Sequence, residues 1–113
     1  MTSYPLSLLM SKLDTFRAMV AKNPENHLAH FGLANEAMKA GRHEEAVASL
    51  RAYLARYDDE GNGWGRLGES LAALGRADEA REAFRQGIAA SHRFGHPGMA
   101  NELEQRIEEL DEG

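Results

Sequence analysis

The chain has 113 residues, enough for one domain with a real core and too few for two independent ones, because folded domains cluster near roughly 100 to 150 residues. It contains no cysteine, which excludes a disulfide scaffold, a thiol nucleophile and thiolate-held zinc or iron–sulfur centres. With 13 Lys and Arg against 18 Asp and Glu, the net charge of -5 opposes nucleic-acid binding, whose affinity rests on cationic phosphate contacts.

From the N-terminus, Leu6 to Met10 is the Leu-rich run near the start. It is too short to span a bilayer, Ser11, Lys12 and Asp14 follow it, and no Lys or Arg precedes it. Neither a membrane segment nor a secretory leader is expected, and the localisation is read as cytoplasmic. Only three prolines, with abundant Ala, Leu, Glu and Arg, favour helix over sheet along the whole chain.

From His27 onward the chain repeats itself. Gly41, Arg42, Glu45 and Ala46 recur as Gly75, Arg76, Glu79 and Ala80 at an offset of 34 residues, and the offset also pairs Leu33 with Leu67, Leu50 with Phe84, and Leu54 with Ile88. Within the second copy, Trp64, Leu67, Gly68 and Leu71 form one apolar stripe, and Ala77, Ala80, Phe84 and Ile88 form another. Spacings of three and four place each stripe on one helical face, and Gly41 and Gly75 supply the left-handed turn that ends the first helix of each copy. Each copy is therefore predicted to be a helical hairpin. Small residues at Ala34, Gly68 and Gly87 let the helices of a pair approach, so Gly68→Leu should overpack it. Further on, Pro97 stands where a helix begins, and Leu103, Ile107 and Leu110 alternate with Glu102, Glu104, Glu108 and Glu109 as in a polar-backed cap.

These residues resemble the tetratricopeptide repeat, whose 34-residue unit follows W-x2-L-G-x2-Y, then A-x3-F, then P. The second copy matches at Trp64, Leu67, Gly68, Ala80 and Phe84, with Leu71 in the tyrosine place; the first keeps Leu33 and Ala46 but has His30, Ala34 and Leu50 in the tryptophan, glycine and phenylalanine places. Phe16 and Pro24 have the spacing of the phenylalanine and proline of an earlier unit without its first helix. The resemblance implies one all-α domain over 1–113, a right-handed solenoid of about six helices: an N-terminal helix at 6–23, repeats at 27–60 and 61–94, and a capping helix at 97–111.

The resemblance also implies a concave wall built from the first helix of each unit. On this chain the wall displays Leu28, Phe31, Asn35, Met38 and Lys39, then Asn62, Arg66, Glu69 and Ala73. An apolar strip edged by polar groups suits an extended peptide or a partner helix, although Leu28, Phe31 and Met38 equally suit core packing against the N-terminal helix. One branch of the family grips a terminal carboxylate with Lys and Asn. Here Asn35 occupies a clamp place, but Phe31 replaces the lysine and Arg66 stands where a second asparagine would, leaving Arg66 as the group that could fork a carboxylate. Pairing of Arg66 with Glu69 or Glu36 on the surface is the plainer expectation.

The five histidines do not form a ligand set: His27 and His30 lack a third partner, and Gly95 and Pro97 interrupt any helix joining His92 to His96. No metal or other cofactor is expected. Asp58, Asp59 and Glu60 lie between the hairpins beside Gly61 and Gly63 and are expected to face solvent, without the apolar pocket that tunes catalytic carboxylates. The Gly-rich stretch Gly61 to Gly65 lacks the Lys and Ser or Thr of a phosphate loop. The expected function is a non-enzymatic adaptor or scaffold that binds another protein or peptide. A structural alternative is a homodimer or larger self-assembly, because the truncated first unit leaves Leu6, Leu9, Leu13 and Phe16 in need of cover.

Overall fold

The structure, a computed structural model, describes residues 11–113. The described residues form six α-helices: α1 (Lys12–Lys22), α2 (His27–Lys39), α3 (His43–Arg56), α4 (Asn62–Ala73), α5 (Ala77–Arg93) and α6 (Pro97–Glu112). Of the segment expected at 6–23, Leu6 and Leu9 lie outside the described residues. Helix α1 starts at Lys12 because Ser11 is extended and its side chain accepts a hydrogen bond from the Asp14 amide, which caps the first turn.

Each helix packs on its neighbours in sequence, and α6 also touches α4. Hairpins α2–α3 and α4–α5 turn through the same device. Gly41 (φ 73°) brings the Arg42 amide to the Ala37 carbonyl at 2.8 Å, and Gly75 (φ 78°) brings the Arg76 amide to the Leu71 carbonyl at 2.9 Å. The same turn recurs at Gly95, where the His96 amide reaches the Ser91 carbonyl at 2.8 Å and redirects the chain into α6. In each case a left-handed residue satisfies the orphan carbonyls of the last helical turn. The following helices α3 and α5 carry acids in their first turns, Glu44 and Glu45, then Asp78 and Glu79, where the helix dipole favours them.

The core runs along the hairpins, with Leu50, Leu67, Leu71 and Phe84 all at most 2 % exposed. Phe84 sits where the small residue at 68 permits: a Cβ on Gly68 would lie 2.4 Å from the ring. Trp64 is half-buried and packs against this cluster. His30, in the tryptophan place of the first repeat, is buried, and its Nε2 lies 2.7 Å from the Pro24 carbonyl. It pins the α1–α2 turn instead of filling a large apolar gap. Leu103 and Ala100 seat α6 on the stack while Glu102, Glu104, Glu108 and Glu109 stay exposed. In contrast α1 has no fully buried residue.

Candidate functional site

The residues assigned from sequence to the inner wall come from α2 and α4. Leu28 is 68 % exposed, so it is not core. Phe31 and Met38 are half-buried, each with one side on the core. Phe31 belongs to an aromatic chain in which its ring lies 4.8 Å from Tyr53, Tyr53 lies 5.3 Å from Tyr57, and Tyr57 stacks on His27 at 4.7 Å. Tyr57 is 45 % exposed, so the aromatic chain reaches the surface just past the end of α3.

The expected pairing of Arg66 with Glu69 or Glu36 does not occur. The Arg66 guanidinium lies over the Phe31 ring, 5.5 Å from its centre, and ties α4 to α2 by a cation–π contact. Glu69 is held by Arg106 of α6 at 3.3 Å, and Glu36 by Lys39 at 3.1 Å, so both acids are spoken for. Asn62 is exposed at the start of α4, and Asn35 is half-buried one turn beyond Phe31. The wall extends onto a helix that sequence reasoning treated only as a cap: Met99, Glu102 and Leu103 of α6 join Asn62, Arg66 and Glu69 around a cleft of about 190 Å³. The 34-residue register would have found this, because α6 occupies the place of a third first-helix.

A second cleft, of about 320 Å³, opens between α3 and α5 over Trp64, Leu67 and Leu71, with Arg51 and Glu79 facing each other at 3.4 Å on its rim. Its floor residues Leu67 and Leu71 are almost fully covered, and the half-buried Trp64 beside them leaves its lining more apolar than polar. Among the described residues no group of three or more His, Asp and Glu is disposed to hold a metal ion.

The loop between hairpins corrects one expectation. Asp58 and Glu60 are exposed, but Asp59 is only 4 % exposed. Its Oδ2 accepts from the Tyr53 hydroxyl at 2.6 Å, and its Oδ1 accepts from the Gly61 and Gly63 amides, both at 2.8 Å. The carboxylate thus caps α4 from two residues upstream. Gly61 must be glycine here, since it adopts φ 130° and a Cβ would meet the Ser91 hydroxyl at 2.4 Å. Burial, then the bond to Asp59, pushes the Tyr53 hydroxyl far above its usual 10.0. Asp59 is engaged by three donors, which makes it a structural anchor.

Repeated helical hairpins of this length define a protein of the helical-repeat class. The sequence comparisons place it within that class. The profile of the tetratricopeptide repeat matches residues 10–91, and the chain belongs to that family. It is similar to the TPR repeat-containing protein PA0015 of Pseudomonas aeruginosa, with 29 % identity over 99 residues covering 88 % of this chain and 94 % of the relative. It also resembles the beta-barrel assembly-enhancing protease of Escherichia coli, with 32 % identity over 69 residues, 61 % of this chain and only 14 % of that protein. Proteins of this family generally mediate protein–protein interactions. No helix among the described residues is long and apolar enough to cross a membrane.

Proposed function

We propose that the chain is an adaptor, without catalytic activity of its own, that binds an extended segment or a helix of another protein along the wall of α2 and α4. The supporting observation is the strip Leu28, Phe31 and Met38 on α2: one residue is mostly exposed, the other two are half-covered, and polar groups edge all three. Asn35, Lys39, Asn62, Arg66 and Glu69 form that edge. Burying a strip of this kind stabilises a complex through apolar area, while the edge sets register and orientation. The proteolytic activity in the Escherichia coli relative's name belongs to a protein of which this chain matches 14 %, so it contributes nothing to this reading. A cytoplasmic location is part of the proposal.

The test is capture from native lysate by the wild-type chain beside a Phe31→Ala, Arg66→Ala variant. Large aromatic and Arg anchors typically cost about 2 kcal/mol or more when truncated, so the variant is expected to lose its specific partners while keeping its helical signal. An unchanged set of captured proteins would remove the wall from consideration. Self-association is the second reading, favoured by α1, where Met19 is 42 % exposed and Leu13, Phe16 and Val20 are half-covered. Sedimentation across a wide concentration range separates it, since a strict monomer leaves no homodimer to explain.

A further inference from the structure

Charge is spread unevenly along the stack. Ten of the 13 Lys and Arg lie within 4.0 Å of a carboxylate, and Arg66 lies over Phe31. The two left over are Lys12 and Lys22, both exposed and both on α1. Residues 1–10 carry no charged side chain, so that segment offers neither lysine a carboxylate. At the other end of the stack, Glu102, Glu104, Glu108, Glu109 and Glu112 of α6 have no cation within 4.0 Å among the described residues. The one cation of that helix, Arg106, is held by Glu69. Helix α1 thus holds three cations against one acid, and α6 six acids against one cation.

The bare side of α1 is also the side that later repeats cover. At the offset of 34 residues, Thr15 and Met19 stand in the places of Ser49 and Tyr53 of α3 and of Ala83 and Gly87 of α5, all of them buried. Phe31 of α2 packs on Tyr53, and Trp64 of α4 crowds Gly87. Among the described residues no such first helix precedes α1, and Met19 is 42 % exposed. Lys12, Thr15, Met19 and Lys22 therefore form one exposed stripe with spacings of three, four and three. Helix α6 carries a stripe of the same spacings in Glu102, Gln105, Glu109 and Glu112, all exposed.

We propose that α1 of one copy docks antiparallel on α6 of a second copy, Lys12 meeting Glu112 and Lys22 meeting Glu102, with Met19 on the aliphatic stem of Gln105. The two lysines stand about 15 Å apart along their helix, as do the two glutamates along theirs, so both pairs close at once. A contact between two α1 helices would set lysine against lysine, which the charges oppose. The contact rests on the second reading above, self-association through α1, and makes no use of the wall of α2 and α4. Because α1 and α6 stand at opposite ends of a molecule 57 Å long, each contact leaves one of each helix free, and copies add in series past the dimer. Exposed ion pairs are individually weak and screened by ions, so the association is weak and salt-sensitive.

Sedimentation velocity on the full chain, from micromolar to millimolar concentration at about 20 mM and about 500 mM salt, tests the contact. The wild type is expected to grow past the dimer at low salt, with a dissociation constant about tenfold or more higher at high salt. The double variants Lys12→Glu, Lys22→Glu and Glu102→Lys, Glu112→Lys should each stay monomeric. Their helical signal and thermal midpoint should stay near those of the wild type, because none of the four side chains has an ion pair to lose. An equimolar mixture of the two variants should associate again, since each reversed face meets its complement. A dimer that neither variant disturbs would keep self-association and overturn the head-to-tail contact, and so would a mixture that stays monomeric beside an associating wild type. A wild-type chain that is monomeric throughout would bring down both and pass the stripe of α1 to residues 1–10 or to an acidic helix of another protein, without touching the wall.

Discussion

Asp59 shows how one side chain can hold a junction that repetition alone does not encode. Its carboxylate fastens the last turn of α3, through Tyr53, to the first turn of α4, through the Gly61 and Gly63 amides. Tyr53→Phe leaves one buried carboxylate oxygen without its donor and should cost about 1 to 3 kcal/mol. Asp59→Ala orphans two amides and a hydroxyl at once and should cost about 3 kcal/mol or more. Urea unfolding followed by Trp64 fluorescence tests the order, and equal midpoints for both variants and the wild type would refute the lock. The sequence could not disclose it: 34 residues later stand Arg93 and Gly95, so the repeat register carries no counterpart, and Asp-Asp-Glu beside glycines reads as a solvated turn. Gly68 was legible from its small size in the helix. Its Cβ position lies 2.4 Å from Phe84, so Gly68→Leu should destabilise by about 1 to 3 kcal/mol through overpacking, outweighing the roughly 1 kcal/mol that helix propensity returns.

Among the described residues helix α1 packs mainly on α2, and a charge network supplements that contact by reaching α3. Arg17 donates to Glu45 through Nε at 2.8 Å and through a second nitrogen at 2.7 Å, while Arg42 approaches the same carboxylate at 2.9 Å. The Arg17 fork, more than Arg42, holds the Glu45 carboxyl at about 2, well below its usual 4.5. A carboxyl depressed in the folded state adds stability that is complete above 4.5 and is lost as pH falls toward 2. Thermal midpoints of wild type and Glu45→Gln should therefore differ at neutral pH, by about 1 kcal/mol for a partly exposed network, and converge near pH 2. A gap that persisted at pH 2 would mean that Glu45 acts through packing. The pairing joins residues 28 apart in sequence, and a single chain offers many acids at such distances, so periodicity placed both helices without naming the tie. For the same reason Arg66 was expected to pair with a near acid, whereas its lodging over Phe31 depends on how α2 and α4 lie against each other.

At the scale of the whole molecule, the hairpin turns and the apolar stripes were open to reading because each copy writes the same pattern twice, and agreement at a fixed spacing is hard to produce without a shared fold. The face proposed to meet a partner was less open, since exposure depends on what covers the wall: Leu28 and Leu33 look alike in sequence, yet one is 68 % and the other 6 % exposed. Stacked repeats lean only on their neighbours, so their stability is uneven along the chain. Helices α4 and α5 each bury six residues and are covered from both sides, α6 buries two, and α1 buries none. Native-state hydrogen exchange should follow that order, with amides of α4 and α5 opening only on global unfolding, α6 opening earlier, and α1 exchanging first by local release from α2. Because the Arg17 fork is the polar link between α1 and α3, Glu45→Gln should speed exchange in α1 and leave α5 unchanged at neutral pH. Uniform protection across all six helices would instead require the chain to unfold as one cooperative block, and the stack of separable neighbours would then be the wrong description of how it is held together.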